Sequence, residues 1–148
     1  MLIDISVDAI NPWQRLEAYQ QQHPELDGKH GATAVFVGTM RDFNEGDDVA
    51  AMQLEHYPQM TQKYLRDIAA QAMQQWSLLD VMIVHRVGAV RPNDTIVLVA
   101  VWSAHRADAF DASRQLMELL KSQAPFWKQE TLGNGAKRWV EKNTPGTT

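Results

Sequence analysis

A chain of 148 residues, 45% hydrophobic and 22% charged, has the make-up of one soluble globular domain that can bury a core without staples. Its formal net charge of −4 argues against a general nucleic-acid binder, so an anionic ligand would need a local cationic pocket. With no cysteine, disulfides, thiolate metal sites, persulfide carriage and cysteine nucleophiles are excluded, and any sulfur chemistry must import its sulfur on another molecule.

The opening MLIDISVDAI carries Asp4 and Asp8 and no basic stretch, unlike a secretory signal, and no apolar run approaches membrane-spanning length. A cytoplasmic location is expected. Leu2 to Val7 alternates apolar and polar residues as a half-buried strand does. Asn11 is suited to cap a helix with Pro12 at its first position, ending at Pro24, with Trp13, Leu16 and Tyr19 or Gln20 marking one face. Gly31–Met40 reads as a strand, Arg41–Asp48 as a polar loop and Val49–Tyr57 as a second strand. These two strands are expected to pair antiparallel, with Arg41 at the base of the loop between them. A long loop inside a compact domain is often functional.

Pro58–Trp76 reads as a helix, with Tyr64, Ile68, Ala72 and Trp76 at intervals of four. Leu79–Val87 and Thr95–Trp102 are β-branched apolar strands separated by a GAVRPND turn, in which Asn93 tolerates a left-handed conformation. Ser103 is suited to cap a helix over Arg106–Gln123, stopped by Pro125. Its core face carries Ala109, Leu116 and Leu120, with Phe110 and Met117 beside them. Phe126–Thr131 reads as a short strand, Gly133–Gly135 as a turn and Lys137–Glu141 as the partner strand. Residues 1–141 form one domain, and the 142–148 tail is expected to be disordered. Strand pairs joined by helices indicate an α+β fold with a mixed or antiparallel sheet, and neither a dinucleotide nor a P-loop glycine motif is present.

Cationic side chains punctuate the otherwise apolar stretch from Ser103 to Glu130. His105 and Arg106 stand at a helix start, where the dipole disfavours cations. They either reach into solvent or, with free backbone N–H groups, form an anion site. Lys121 lies at helical spacing from Phe110 and Met117. It is either a snorkelling lysine at a helix end or a functional amine. Lys128 shares a strand face with Phe126 and Glu130, while Trp127 and Gln129 face the other way. Such a lysine either guards a sheet edge or is desolvated with a lowered pKa. His30, His56 and His85 lack metal-ligand spacing, and His85 reads as a hydrogen-bonded core or strand-end residue. Arg138, beside Trp139, is either a surface charge or a phosphate contact. No resident cofactor or metal is expected.

From Arg106 to Lys121 the helix spans roughly 22 Å at about 1.5 Å per residue, too far for one compact pocket to hold both ends. The basic groups therefore serve separate sites, or a symmetric dimer brings the His-Arg end of one chain to the lysines of its partner; the dimer is the favoured reading.

LEHYPQMT at Leu54–Thr61, VHRVG at Val84–Gly88, SAHR at Ser103–Arg106 and LLKSQAPFWKQE at Leu119–Glu130 together resemble the large, catalytic subunit of molybdopterin synthase, over about Gly31 to Glu141. The resemblance implies an α/β hammerhead with an additional antiparallel β subdomain. It implies conversion of cyclic pyranopterin monophosphate (precursor Z) into molybdopterin. The two sulfurs would come from the C-terminal thiocarboxylate of a small ubiquitin-like subunit, in a heterotetramer built on a central homodimer. By motif, Lys121 and Lys128 would be the catalytic lysines. Thr39, Met40, Arg41, His105 and Arg106 would bind the anionic pterin, with Gln129 and Glu130 beside Lys128 and Arg138 as a further substrate contact. Gln129 stands where a basic residue is common in the family, and Asn93 replaces a common turn glycine. The alternative is a non-catalytic scaffold for a ubiquitin-like sulfur carrier, against which retention of both lysines and of Arg41, His105 and Arg106 argues.

Overall fold

The strand from Thr95 to Ser103 is buried at every position, so it needs a neighbouring strand on each edge and packing on both faces. The rest of the first sheet follows from that demand. The computed structural model describes residues 1–140. In chain order its elements are β1 (Leu2–Ser6), α1 (Pro12–Gln22), β2 (Ala32–Thr39), β3 (Phe43–Asn44), β4 (Asp47–His56), α2 (Pro58–Gln75), β5 (Leu78–Arg86), β6 (Gly88–Val90), β7 (Thr95–Ser103), α3 (Arg106–Gln123), β8 (Phe126–Leu132) and β9 (Lys137–Val140), with a 3-10 turn at Pro24–Leu26. The expected tail, 142–148, lies outside the described residues, as does Glu141. No described helix is long and apolar enough to cross a membrane.

The first sheet has the order β1-β5-β7-β2, with β1 parallel to β5 and the other pairs antiparallel. It is mixed, as the strand and helix order indicated. Alternate residues of β5 and β7 feed two cores. Val81, Ile83, Val97, Val99 and Val101 meet α2 and α3 through Leu65, Ile68, Ala112 and Leu116. Met82, Val84, Leu98, Ala100 and Trp102 meet Tyr19 of α1, Ile10 and Leu26. Each large side chain fully removed from water contributes roughly 1.5–3 kcal/mol, so this two-sided packing is the main source of stability.

The second sheet runs β3-β4-β8-β9, with β6 also on β4. It covers a smaller core of Met40, Val49, Met52, Leu54, Val90 and Ile96. This is the additional antiparallel subdomain.

Several expectations change. β2 and β4 do not pair: β2 pairs with β7, and β4 pairs with β8, β6 and β3. The buried β7 would otherwise be left with an edge of unsatisfied backbone groups, and β2 fills it. The expected polar loop at Arg41–Asp48 contains a tight hairpin, turning at Glu45 (φ 52°) and Gly46 (φ 82°), the left-handed pair that a two-residue turn requires. The GAVRPND turn includes β6, though Asn93 does take the left-handed conformation (φ 76°). Trp13, expected on the same face as Leu16, is 63% exposed, and Phe110, expected beside the core face of α3, is 67% exposed.

Ser103 does not cap α3: His105 occupies the N-cap position without a side-chain bond. Ser103 Oγ instead donates to the Ser77 carbonyl at 2.8 Å and accepts from the His105 N–H at 3.4 Å. The start of β2 presses on the same corner. Gly31 N–H donates to the Ser103 carbonyl at 2.9 Å, and a Cβ on Gly31 would stand 2.2 Å from the Ala104 carbonyl oxygen. Gly31→Ala is therefore expected to cost about 1–3 kcal/mol through a forced backbone shift, read as a lower urea midpoint at unchanged m-value. A midpoint equal to wild type would show that the corner yields freely.

Candidate functional site

A cleft of about 240 Å³ opens where the second sheet meets the end of the first. The chain enters it by leaving β2 through a register shift between Gly38 and Thr39, which presents Thr39, Met40 and Arg41. Met40 is tied in place by two backbone bonds: its N–H donates to the Asp94 carbonyl at 2.9 Å, and its carbonyl accepts from Asn93 N–H at 2.8 Å. The left-handed Asn93 turn thereby fixes the residue beside Arg41. Lys121 arrives from the last turn of α3, where the helix dipole favours a cation. Lys128 and Glu130 arrive from one face of β8. Because β8 is paired to β4 on one side and β9 on the other, Lys128 is not an edge-strand gatekeeper.

Burial sets the electrostatics. It pushes the Lys121 ammonium down to about 8, and the neighbouring Lys128 ammonium pushes the same way. Lys128 is also held below the usual lysine range by burial, with the Glu130 carboxylate pulling it back up and the Arg41 guanidinium pushing it down. Behind them lies His85, 3% exposed, stacked on Phe126 at 3.9 Å between ring centroids and 13° between planes. Its Nδ1 lies 2.7 Å from the Arg86 carbonyl, so Nδ1 is the N–H tautomer. Burial, together with the charges of Lys121, Lys128 and His56, drives it down to about 3 against that hydrogen bond, so it is neutral at any working pH. The expectation of a hydrogen-bonded core histidine holds.

Of the residues singled out from sequence, Thr39, Met40, Arg41, Lys121, Lys128 and Glu130 come together in this cleft. His105 and Arg106 do not. They are exposed at the opposite end of α3. Gln129 projects from the other face of β8, paired across from Trp139 and Gln53. Arg138 stands outside the cleft lining, bonded to Glu130 and Asp47. Sequence reasoning missed Phe43 and Asn44 on the hairpin and Met52, Ile96 and Val140 on the floor and wall. Phe43 packs under Arg41, whose Cζ lies 4.9 Å from the ring centroid. The aromatic within the polar RDFNEGDD run was the available signal. Among the described residues, no group of three or more His, Asp or Glu side chains could hold a metal ion.

The site thus places two desolvated lysines and an arginine on one small cleft of an α+β domain, the kind of cationic constellation that clusters at functional sites. Comparison with known proteins makes this specific. The family model described as MoaE protein matches residues 9–123. A protein of Pseudomonas aeruginosa named molybdopterin synthase catalytic subunit is 48% identical over 141 residues, covering 95% of this chain and 91% of its own length. A Ralstonia nicotianae protein of the same name is 56% identical over 111 residues, 75% of this chain; the match spans 62% of that relative, less than two thirds of its length. The solved structure of the molybdopterin biosynthesis MoaE protein from Burkholderia ambifaria matches with a TM-score of 0.79 at 46% identity, over 99% of this chain and 93% of that one. The chain belongs to the MoaE protein family, and these two named relatives are catalytic subunits of an enzyme.

The lowered Lys121 has a thermodynamic consequence. Its folded-state pKa of about 8 lies below the unfolded value of 10.5, so burying the ammonium costs stability at pH 7. That cost fades as pH rises from about 8 to 10.5, where the unfolded chain binds the extra proton. Lys121→Met is expected to be more stable than wild type by on the order of 1–3 kcal/mol at pH 7 in denaturant titrations, with the gap closing above about pH 8. A gap that is constant with pH would remove desolvation as its cause.

Proposed function

We propose that this chain is the sulfur-transferring catalytic subunit of a molybdopterin synthase, acting in the cytoplasm. It converts cyclic pyranopterin monophosphate into molybdopterin, and each of the two dithiolene sulfurs comes from the C-terminal thiocarboxylate of one small ubiquitin-like subunit, so two carriers are consumed per product. The observation that carries this reading is the pair of pKa-lowered lysines opposite Arg41, in a chain of this family that has no cysteine of its own. A sulfur-transfer subunit without a thiol needs a carrier, and the name catalytic subunit borne by the relatives is that of one part of an assembly. A passive scaffold would gain nothing from burying two ammonium groups, whose desolvation is costly.

In the proposed reaction the thiocarboxylate sulfur attacks a side-chain carbon of the pterin and displaces an oxygen from it. Water then cleaves the acyl C–S bond of the resulting thioester, leaving the sulfur on the pterin and the carrier tail as a carboxylate. Lys121 and Lys128 neutralise the charge on the displaced oxygen and on the tetrahedral intermediate, while Arg41 grips the anionic substrate. With a pKa of about 8, Lys121 is largely protonated at neutral pH yet close enough to its pKa to exchange a proton. His105 and Arg106 lie a helix length away, so their contribution to phosphate binding is proposed to come from the partner in a homodimer, with one small subunit at each end of the resulting heterotetramer.

The test mixes the chain with thiocarboxylated small subunit and cyclic pyranopterin monophosphate and measures molybdopterin as its fluorescent oxidation product. Wild type is expected to turn over with a kcat/KM that falls above about pH 8, as the Lys121 ammonium is lost. Lys121→Ala should remove most of kcat, and Arg41→Ala should act chiefly on KM. No product with competent partners would defeat the enzyme reading; a rate that rises through pH 8 would make Lys121 a base instead. The shared site has its own test. Lys121→Ala and an Arg106→Ala variant, each impaired alone, should regain roughly a quarter of wild-type activity when co-refolded, because mixed dimers hold one intact site. No recovery would place both groups in one chain's site or in none.

A further inference from the structure

Arg138 is engaged by the protein itself. Its Nε donates to Glu130 Oε1 at 2.9 Å, its Nη1 to Asp47 Oδ2 at 2.8 Å and its Nη2 to the Asn44 carbonyl at 2.9 Å. Asn44 Nδ2 closes the ring by donating to Glu130 Oε2 at 3.1 Å. Glu45 stands 3.8 Å from Nη1 as an outer ion pair. Each guanidinium nitrogen has an acceptor on a different element: β8, the start of β4, and β3.

Two features set this arginine apart from a phosphate ligand. The first is charge: Glu130, Asp47 and Glu45 surround one guanidinium, so the cluster is net negative and repels an anion. The second is place: Arg138 is outside the cleft lining, whereas Phe43, Asn44 and Glu130, which it or its partners hold, are part of it. The hairpin strand β3 is two residues long, pairs only with β4 among the described strands, and leaves Phe43 52% exposed. Its position therefore depends on the guanidinium fork, which a planar bidentate donor is suited to fix.

We infer that Arg138 is a positioning residue for the reaction rather than a substrate contact: it staples the Phe43–Asp47 hairpin and the Glu130 carboxylate to β9, and so holds Arg41, resting on Phe43, opposite the two lysines. With one Glu130 oxygen on Arg138 and the other on Asn44, that carboxylate is kept from folding over onto Lys128. Asp47 is as much part of the staple as Arg138, although a carboxylate has no affinity for an anionic substrate.

That last point supplies the discriminating experiment. The activity arm rests on the sulfur-transfer reading, so amide hydrogen exchange of residues 43–47 is measured alongside it. Arg138→Gln and Asp47→Asn are each expected to raise KM for cyclic pyranopterin monophosphate, by roughly ten-fold, and to speed exchange in the hairpin by a similar factor. The double variant should be little worse than either single one, because both break the same staple. If Asp47→Asn leaves KM unchanged or lowers it while Arg138→Gln raises it, Arg138 is a direct ligand and the inference fails. Hairpin exchange at the wild-type rate in both variants also overturns it. Should Arg138→Gln not fold, Asp47→Asn, whose side chain is 53% exposed, carries both readouts. If wild type itself shows no turnover, the sulfur-transfer reading falls and the exchange arm still decides the staple.

Discussion

The cost of burying positive charge governs this molecule. Lys121 and Lys128 sit in one small cleft, each partly removed from water and Lys121 opposed by the other's field, an arrangement no isolated helix or hairpin would tolerate. It persists because each lysine belongs to an element held by something larger. Lys121 ends a helix whose Ala109, Ala112, Leu116 and Leu120 are locked into the main core. Lys128 lies on a strand hydrogen-bonded along both edges. The stability of the first sheet offsets the strain of the site at its end.

The same architecture separates two cationic groups that the sequence lists close together. His105 and Arg106 begin α3, and Lys121 ends it. A helix is a rigid spacer, so its length keeps the ends from meeting within one chain. Each end is instead furnished by its own surroundings. Gly31 and Ser103 shape the backbone corner before His105, while Met40, Phe43 and Glu130 surround the lysines. The proposed dimer follows from this spacing more than from any surface feature.

How legible the fold was depended on the range of the interaction. Helix boundaries came through because caps and prolines act locally: Asn11 does accept from Gln14 N–H at 3.2 Å, and Pro12 and Pro58 do open α1 and α2. The strands β5 and β7 and the turn between them were legible as well from their β-branched apolar runs, and the structure adds that they pair antiparallel. The partner of β2 was not. Adjacent strands in the chain suggested β4, whereas the choice was made by the unsatisfied edge of β7, more than fifty residues further along. The hairpin inside RDFNEGDD was hidden for a different reason: its strands are too short to show a period, and Phe43 alone among polar residues marks it.

By itself the sequence determined that this is one α+β chain without a thiol, with lysines at 121 and 128 set among aromatics, and its motifs pointed to the right family. The fold class and the missing thiol follow from composition and short-range periodicity, local properties of the chain, and the family from the resemblance of its motifs. Only the tertiary structure decided that the lysines share a cleft, that Lys121 is pushed down to about 8, and that the Arg138 guanidinium is taken up by Glu130 and Asp47. Those outcomes depend on burial and on which distant groups become neighbours. A pKa is set by the charges and the dielectric around a group, and both exist only once the strands have chosen their partners.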